Sequence, residues 1–194
     1  MTKEGGILDN VCIPERGVDC ETLRKVIILA IEIAREGREG RKIGTMFVAG
    51  DSQRTLSLSK CLILDPLLNH PDEKKNIENS NMRETVKELS LLDGAFIVSN
   101  DGIVISACRY INASIEGFDL PLGLGSRHLA AASITKQTDA VAVAVSESSI
   151  VRVFDDGEIV SEIIPELWMM SRFSSHIASP FQEDSEDQVT VRSK

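Results

Sequence analysis

Two pairs of apolar segments, each interrupted by a tight-turn signal, constrain the fold more than any other feature of the chain. The segments are residues 94–99 and 103–110 around Asn100-Asp101-Gly102, and residues 150–154 and 158–160 around Asp155-Asp156-Gly157. Asn, Asp and Gly accept the positive φ angles that tight hairpin turns require. Each pair therefore predicts an antiparallel β-hairpin, which argues against a purely parallel, doubly wound sheet.

Helices and buried strands are predicted around these hairpins. The predicted helices cover 19–36, 82–89 and 127–136, with a last one from Pro165, and the predicted buried strands cover 43–50 and 140–145. Asp19 is a suitable N-cap for the first helix, and Asn79, Ser80 or Asn81 for the second. Residues 51–80 are typical of an exposed connection. The fold class that follows is α/β (mixed α+β), a single twisted mixed β-sheet with antiparallel hairpins, flanked by helices.

Length and composition predict one folded domain. The chain has 194 residues, of which 42% are apolar, which is enough for one well-buried core and little for two. We expect an irregular lead-in over 1–18 and a folded domain over 19–173. Residues 174–194 are polar and acidic, so we expect a disordered tail there.

The charge of the chain excludes two classes of partner. A net charge of −9 argues against a non-specific nucleic-acid surface or an anionic-membrane surface, because both need an excess of Lys and Arg. The four cysteines are widely spaced and form no metal-ligand pattern, so we expect reduced thiols in a cytoplasmic protein. No apolar run approaches the roughly 18 to 20 residues that span a bilayer, and we expect no membrane partner.

A glycine-rich stretch that leads directly into a helix is the strongest candidate for a ligand site. Gly125 and the preceding Gly123 let a ligand approach the backbone, and the free N–H groups of a first helical turn favour an anion. Ser126 can cap this helix, while Arg127 adds a guanidinium that can donate two parallel hydrogen bonds, and His128 adds an imidazole. This pattern suits phosphate binding. An ordinary junction between a loop and a helix remains the alternative.

Three motifs in a fixed order give the chain a resemblance to a known family. They are Asp93-Gly94-Ala95, then Gly125-Ser126-Arg127-His128, and then the Val-Ala-Val-Ser-Glu run at 143–147. In content and order they resemble the diadenylate cyclase family, whose members carry Asp-Gly-Ala and Gly-Thr-Arg-His-Arg motifs. The resemblance extends from about the first helix to the strand near Val160. It implies that 19–173 is a cyclase domain and that its fold is a twisted mixed sheet flanked by helices.

The resemblance also implies a reaction. Members of the family condense two ATP molecules into cyclic di-AMP with release of pyrophosphate, so ATP is the expected substrate. A divalent metal, Mn²⁺ or Mg²⁺, is the expected cofactor, because such a displacement needs charge neutralised at the phosphates. The two-fold symmetric product needs two ATP molecules facing each other, so we expect self-association into a face-to-face dimer or a higher homo-oligomer.

The resemblance gives each motif residue an expected role. Asp93 is expected to bind the metal or to activate the attacking hydroxyl. Arg127 and His128 are also expected to be catalytic: Arg127 would bind the phosphates, and His128 would donate a further hydrogen bond there or orient its neighbours. The other expected ATP-binding residues are Gly94, Ala95, Arg109, Tyr110, Gly125, Ser126, Ser146 and Glu147, with Arg109 and Tyr110 near the adenine. Each also has a structural reading, such as a turn-forming Asp-Gly pair or a satisfied core histidine.

Two residues depart from the pattern of the family. Leu129 stands where the motif has its second arginine, and Ser148 follows Glu147 where many members have a second glutamate. These departures keep a second hypothesis open, a non-catalytic adenine-nucleotide sensor. A third hypothesis is an interaction domain whose glycines and Asp-Gly pair serve only the fold. A sensor predicts ATP binding without pyrophosphate release, and an interaction domain predicts no stabilisation by ATP.

Overall fold

The first helix, α1 (Cys20–Glu36), begins and ends as its capping residues predict. The Asp19 carboxylate accepts a hydrogen bond of 2.9 Å from the backbone N–H of Thr22. At the other end Gly37 has a φ of 61° and donates its N–H to the carbonyl of Ile33. The apolar side of α1 is fully buried against the sheet.

A mixed β-sheet runs through the centre of the molecule, as predicted. The computed structural model describes residues 8–112 and 123–165, together with the backbone of 184–186 and 189–193. Within these residues the strands are β1 (Thr45–Ala49), β2 (Ser59–Cys61), β3 (Ala95–Val98), β4 (Val104–Ile111), β5 (Val141–Val145), β6 (Val151–Asp155), β7 (Glu158–Ile163), β8 (Asp184–Glu186) and β9 (Val189–Ser193). Their order is β2-β4-β3-β1-β5-β6-β7-β9-β8. Strands β1 and β3 are parallel, and the other neighbouring pairs are antiparallel.

Both predicted hairpins are confirmed. Strands β3 and β4 pair antiparallel around the turn at 100–102, and β6 and β7 pair antiparallel around the turn at 156–157. The β3–β4 pair contains a register shift, and Cys108 in β4 has a φ of 55°. Such a bulge redirects the side chains that follow it. It lies next to the candidate site described below.

The segment 51–80 is more structured than predicted. It contains α2 (Ser52–Ser57), strand β2 and a 3-10 helix (Asp72–Lys74) before α3 (Ser80–Leu89) begins. The prediction of a plain exposed connection was therefore wrong for 52–61. Helix α2 is too short to show a periodic pattern, and it is held by the Asp51 cap and by the buried Thr55. Helix α3 has the predicted cap at Asn79, whose side chain accepts from the N–H of Asn81.

Each face of the sheet carries a helix. Helix α1 covers one face, where Phe47 and Phe96 of adjacent strands stack with ring centroids 5.1 Å apart. Helix α4 (Ser126–Gln137) covers the other face through Ala131, Ala132 and Ile134. Because alanine is small, α4 lies close to the sheet. This closeness places the first turn of α4 beside the N-terminal ends of β1 and β3.

The ends of the chain add to this core. Residues 8–18 form turns without a helix or strand, and Leu8, Val11 and Val18 are buried. Strands β8 and β9 form a hairpin on β7, inside the segment for which the composition predicts disorder. The helix predicted from Pro165 falls, apart from Pro165 itself, on residues outside the described ranges. Among the helices of the described residues, none has the length and apolar character needed to cross a bilayer.

Candidate active site

The Asp93-Gly94-Ala95 motif lies at the entrance of β3. Asp93 is exposed at a bend, and Ala95 is the first residue of the strand. Gly94 has a φ of 109°, and a Cβ atom there would lie 2.6 Å from the carbonyl carbon of Cys108 and 2.7 Å from the backbone nitrogen of Arg109. Only glycine fits this position. The motif thus sets β3 directly against the backbone of β4 and leaves the Asp93 carboxylate free to face solvent.

The glycine-rich approach leads to the first turn of α4, but its cap differs from the prediction. Gly125 is the N-cap and makes no side-chain capping bond, and Ser126 is the first helical residue. The prediction that Ser126 caps the helix was therefore wrong by one position. The carbonyl of Gly125 accepts from the N–H of His128, so the turn closes directly after the glycine. As a result the Ser126 side chain is exposed rather than bonded to the helix backbone.

Arg127 is half-buried and lies across the start of β1. The space that a Cβ atom of Gly44 would occupy is filled by the Arg127 guanidinium. Gly44 directly precedes β1, so the absence of a side chain there lets this cation lie on the backbone. The guanidinium consequently lies at the N-terminal end of β1, a central strand of the sheet.

These features enclose one cavity of about 500 Å³, which we call the motif cavity. Its lining residues are Met46, Leu62, Asp93, Gly94, Ala95, Arg109, Tyr110, Ile111, Ser126, Arg127, Leu129 and Ala130. The cavity brings together seven of the residues predicted to form the site, and five of these come from two motifs that are distant in sequence. Its size is in the range of small-molecule sites.

Arg109 forms part of the wall, and its guanidinium is already engaged. It donates to the carbonyls of Leu56 and Ser59 and to the Ser59 hydroxyl, at 3.0 to 3.2 Å, and its Nη1 lies 3.0 Å from Cys61 Sγ. These contacts tie α2 and β2 to β4. Arg109 therefore braces the wall of the cavity, whereas the resemblance implies a direct contact with the adenine.

Tyr110 offers an aromatic surface at the cavity. The side chain is half exposed, and Lys60 Nζ lies 5.3 Å from the ring centroid. The neighbouring Leu62, also partly exposed, supplies an apolar contact on the same wall. An apolar wall with an aromatic ring and nearby cations can accommodate a planar base that carries phosphates.

His128 is directed away from the motif cavity. The side chain is 93% buried between α4 and β6, with Nε2 3.1 Å from an Arg152 guanidinium nitrogen and the ring 6.1 Å from that of Phe154. Burial, together with the positive charges of Arg152 and Arg127, lowers the pKa of His128 to about 4. His128 is not among the residues that line the motif cavity, and of its two expected roles this position favours the orientation of its neighbours. The sequence pattern could not reveal which face of α4 meets the sheet.

Three other predicted residues lie outside the cavity lining. Ser146 follows β5, where its hydroxyl bonds to the backbone of Ile150 and lies 2.7 Å from the Ser148 hydroxyl. Glu147 is exposed in the same turn. Gly125 is exposed beside Ser126, and the space that its Cβ would occupy is open. The structure thus brings neither Ser146 nor Glu147 to the wall of the cavity.

The donor set limits how a metal could bind. Within 8–112 and 123–165 there is no group of three or more His, Cys, Asp or Glu residues placed to hold an ion. Asp93 is the one carboxylate among the lining residues. A single exposed carboxylate fits Mg²⁺ or Mn²⁺ only if substrate phosphates and water complete the coordination, an arrangement that Mg²⁺ commonly adopts.

Sequence reasoning missed four of the lining residues. Met46, Leu62, Ile111 and Ala130 carry no polar group, so no motif marks them. Only the apolar Leu62-Ile63-Leu64 run inside an otherwise polar connection could have drawn attention to this segment. In the structure Ile63 of this run is 94% exposed.

The chain is similar to two curated proteins. Over 146 residues the chain is 53% identical to a diadenylate cyclase of Methanocaldococcus jannaschii, an alignment that covers 74% of this chain and 46% of the relative. Over 153 residues it is 39% identical to a diadenylate cyclase of Haloferax volcanii, covering 77% of this chain and 55% of the relative. The chain thus spans about half the length of these curated relatives.

Solved structures share the fold. A double cysteine mutant of DacA from Staphylococcus aureus aligns with a TM-score of 0.51 at 24% identity, over 72% of this chain and 84% of that one. A hypothetical membrane-spanning protein from Bacillus cereus aligns with a TM-score of 0.56 at 19% identity, over 77% of this chain and 65% of that one. The family model for DisA bacterial checkpoint controller nucleotide-binding matches residues 32–159, which contain both motifs of the cavity. The chain belongs to this family, the diadenylate cyclase (DAC) domain family.

Proposed function

We propose that this chain is a diadenylate cyclase that condenses two ATP molecules into cyclic di-AMP. The 3′-hydroxyl oxygen of one ATP bonds to the α-phosphorus of the other, the bond between the α- and β-phosphates breaks, and pyrophosphate leaves as the hydroxyl loses its proton. In a second displacement the roles are exchanged: the 3′-hydroxyl of the other nucleotide bonds to the remaining α-phosphorus, its bond to the β-phosphate breaks, and the ring closes as the second pyrophosphate and the hydroxyl proton leave. The observation that carries the proposal is the motif cavity, which Asp93 and Arg127 line together.

The phosphates of ATP would lie at the first turn of α4. The N–H groups of Ser126 and Arg127, the first two residues of this helix, have no acceptor within the helix, and the helix dipole favours an anion there. The Ser126 hydroxyl can donate one hydrogen bond to a phosphate oxygen, and Arg127 can donate two. The adenine would lie against Tyr110 and Leu62, and Arg109 would act by holding that wall.

Asp93 would hold a divalent cation, Mg²⁺ or Mn²⁺, together with the phosphates. When bound, such an ion neutralises phosphate charge and lowers the pKa of the attacking hydroxyl. The exposed position of Asp93 at the entrance of β3 leaves its oxygens accessible from the cavity. Gly94 supports this role because its close contact with β4 fixes the preceding residue.

The reaction also requires two copies of the chain. One motif cavity holds one ATP, and a symmetric product needs the second ATP to face the first. We therefore propose that the active form contains a face-to-face dimer. Cyclic product from a strictly monomeric chain, shown by sedimentation at the assay concentration, would contradict this part.

The experiment that tests the function is an assay of the purified chain with ATP and either Mg²⁺ or Mn²⁺, with cyclic di-AMP and pyrophosphate measured by mass spectrometry. Asp93→Asn is expected to lower the rate by a factor of roughly 100 or more. The matched control is Asp101→Asn, because Asp101 is also an exposed aspartate before a glycine but lies in the β3–β4 turn. This control is expected to keep the wild-type rate. Equal activity of the two variants would overturn the role of Asp93.

A second candidate function is supported by Leu129. This side chain lines the motif cavity at the position where the family motif has an arginine, so the cavity has one cation fewer. A nucleotide sensor would bind ATP in the same cavity and release no pyrophosphate. A rise in melting temperature with ATP, without cyclic di-AMP or pyrophosphate under either metal, would favour the sensor over the cyclase.

A further inference from the structure

The contact between His128 and Arg152 fixes the protonation of the histidine. Arginine carries only donors, so at 3.1 Å the Arg152 guanidinium must donate and His128 Nε2 must accept. The imidazole is therefore neutral, with its proton on Nδ1. That nitrogen is buried and has no hydrogen-bond partner among the described residues. A protonated imidazole at this distance would place two cations in contact.

Arg152 is itself held from the far side by Glu162. The two residues are directly opposite each other in the β6–β7 register, and Arg152 Nε donates to Glu162 Oε1 at 2.6 Å. The Arg152 side chain is 12% exposed, so water competes little with this ion pair. The guanidinium thus bonds through Nε to Glu162 on β7 and through Nη1 to His128 on α4.

The first turn of α4 has few other fixed attachments. Its N-cap, Gly125, has no side-chain bond, and the spaces around the Cβ positions of Gly123 and Gly125 are open. Ser126 and Arg127, which line the motif cavity, precede His128 directly. A buried anchor at His128 therefore controls where these two side chains sit.

We infer that Arg152, backed by Glu162, is a positioning residue for the motif cavity, which keeps His128 in its neutral Nδ1–H form and thereby holds the first turn of α4 in place. This inference rests on the proposed function for its effect on catalysis, whereas its structural part stands independently. Arg152 touches none of the cavity and acts through His128. The inference gives His128 a role that its position away from the cavity would otherwise leave unexplained.

The charges that face His128 determine how the anchor responds to pH. They are Arg152 from β6, Glu162 from β7 and Arg127 from α4 itself. Arg152→Met would remove one positive neighbour and leave the Glu162 carboxylate without its partner. Both changes favour a protonated imidazole. As the pH is lowered from about 7 to about 5, the activity of Arg152→Met is expected to fall because its His128 becomes protonated. Wild-type His128 remains neutral over this range.

The direct test is the tautomer of His128, read from long-range ¹⁵N–¹H couplings of the imidazole rings at neutral pH. Replacing His128 with Asn identifies its signals among those of the three histidines. The wild type is expected to show the Nδ1–H form, and Arg152→Met is expected to lose this preference. The activity test is kcat/KM, expected to fall by a factor of roughly 10 to 100 in Arg152→Met and less in Glu162→Gln.

Lys136→Met is the matched control. Lys136 is a cation on α4 itself, but it lies at the C-terminal end of the helix and pairs with Asp156 at the surface. It is expected to leave both the tautomer and kcat/KM unchanged. An Nε2–H or protonated wild-type His128 at pH 7 would overturn the inference, and so would an Arg152→Met variant with wild-type kcat/KM and pH profile. If the wild type makes no cyclic product, the proposed function fails, and the tautomer measurement still decides the structural part.

Discussion

The two ends of helix α4 border cavities of similar size and opposite chemistry. The motif cavity, about 500 Å³, is at the N-terminal end, and a second cavity of about 640 Å³ is at the C-terminal end. We call the second one the acidic cavity. It is lined by Glu15, Gly17, Asp51, Arg54, Thr135, Lys136, Gln137, Thr138, Asp139, Asp155 and Asp156.

The difference between the two cavities lies in charge and helix polarity. The acidic cavity has five carboxylates against two cations, and one of these cations, Lys136, is already paired with Asp156. It also faces the negative end of the α4 dipole. The motif cavity has one carboxylate against Arg109 and Arg127, and it faces the positive end. A polyphosphate therefore suits the motif cavity, although the acidic cavity is the larger of the two.

Replacing one arginine in each cavity with methionine gives the largest expected difference in kcat/KM. Arg127→Met is expected to reduce kcat/KM for ATP by a factor of roughly 100 to 1000, because it removes a positioned donor at the phosphates. Arg54→Met in the acidic cavity is expected to change kcat/KM by less than about twofold. Initial rates of pyrophosphate release measure both. A large loss in Arg54→Met and little loss in Arg127→Met would reverse the assignment of the two cavities.

A pair of glycines tests how the wall of the motif cavity is built. Gly94→Ala is expected to lower the free energy of unfolding by about 2 to 4 kcal/mol, because a strained φ is combined with overlap on the β4 backbone. Gly123→Ala shares the positive φ but has open space around it, so a loss of about 1 kcal/mol is expected. Denaturant unfolding measures the difference. Equal losses would mean that the contact with β4 has no special importance.

The buried histidine at the N-terminal end of α4 predicts a pH effect on stability. The pKa of His128 is about 4 in the folded chain and ordinarily 6.5, so the unfolded chain binds more protons between these values. The free energy of unfolding should therefore decrease as the pH falls from about 6.5 to about 4, by at most about 3 kcal/mol. Above pH 7 both states are neutral at this site and the contribution vanishes.

The measurement is denaturant unfolding over this pH range. Replacing His128 with Asn should flatten the slope of stability against pH, and replacing the exposed His70 with Asn should leave it unchanged. The comparison removes the general effect of the carboxylates, which all three proteins share. An unchanged slope in the His128 variant would show that this histidine does not titrate as its buried position predicts.

The fold was predictable wherever a local signal specified it. The Asp19 cap, the glycine after α1 and the two hairpin turns act over a few residues, and the structure confirms each of them. Helix α2 and strand β2 were missed because their stability comes from tertiary contacts. Arg109 binds this segment from about 50 residues away, and no local pattern records such a contact.

The site was predictable in its motifs and less so in its geometry. Asp93, Ser126 and Arg127 meet in one cavity, as their motifs suggest. The orientation of His128 depends on which face of α4 meets the sheet, and an alanine-rich helix gives no clear apolar stripe from which to read that face. The engagement of Arg109 follows a bulge at Cys108, which the sequence does not mark.

Hydrogen exchange tests most directly the claim that the nucleotide binds at the N-terminal end of α4. The chain would be measured with and without Mg²⁺ and an ATP analogue whose bond between the α- and β-phosphates cannot break. The account predicts slower exchange at 93–96 and 124–130, with no change at 135–139 and 155–157 around the acidic cavity. Protection confined to the acidic cavity, or no protection at saturating analogue, would contradict it.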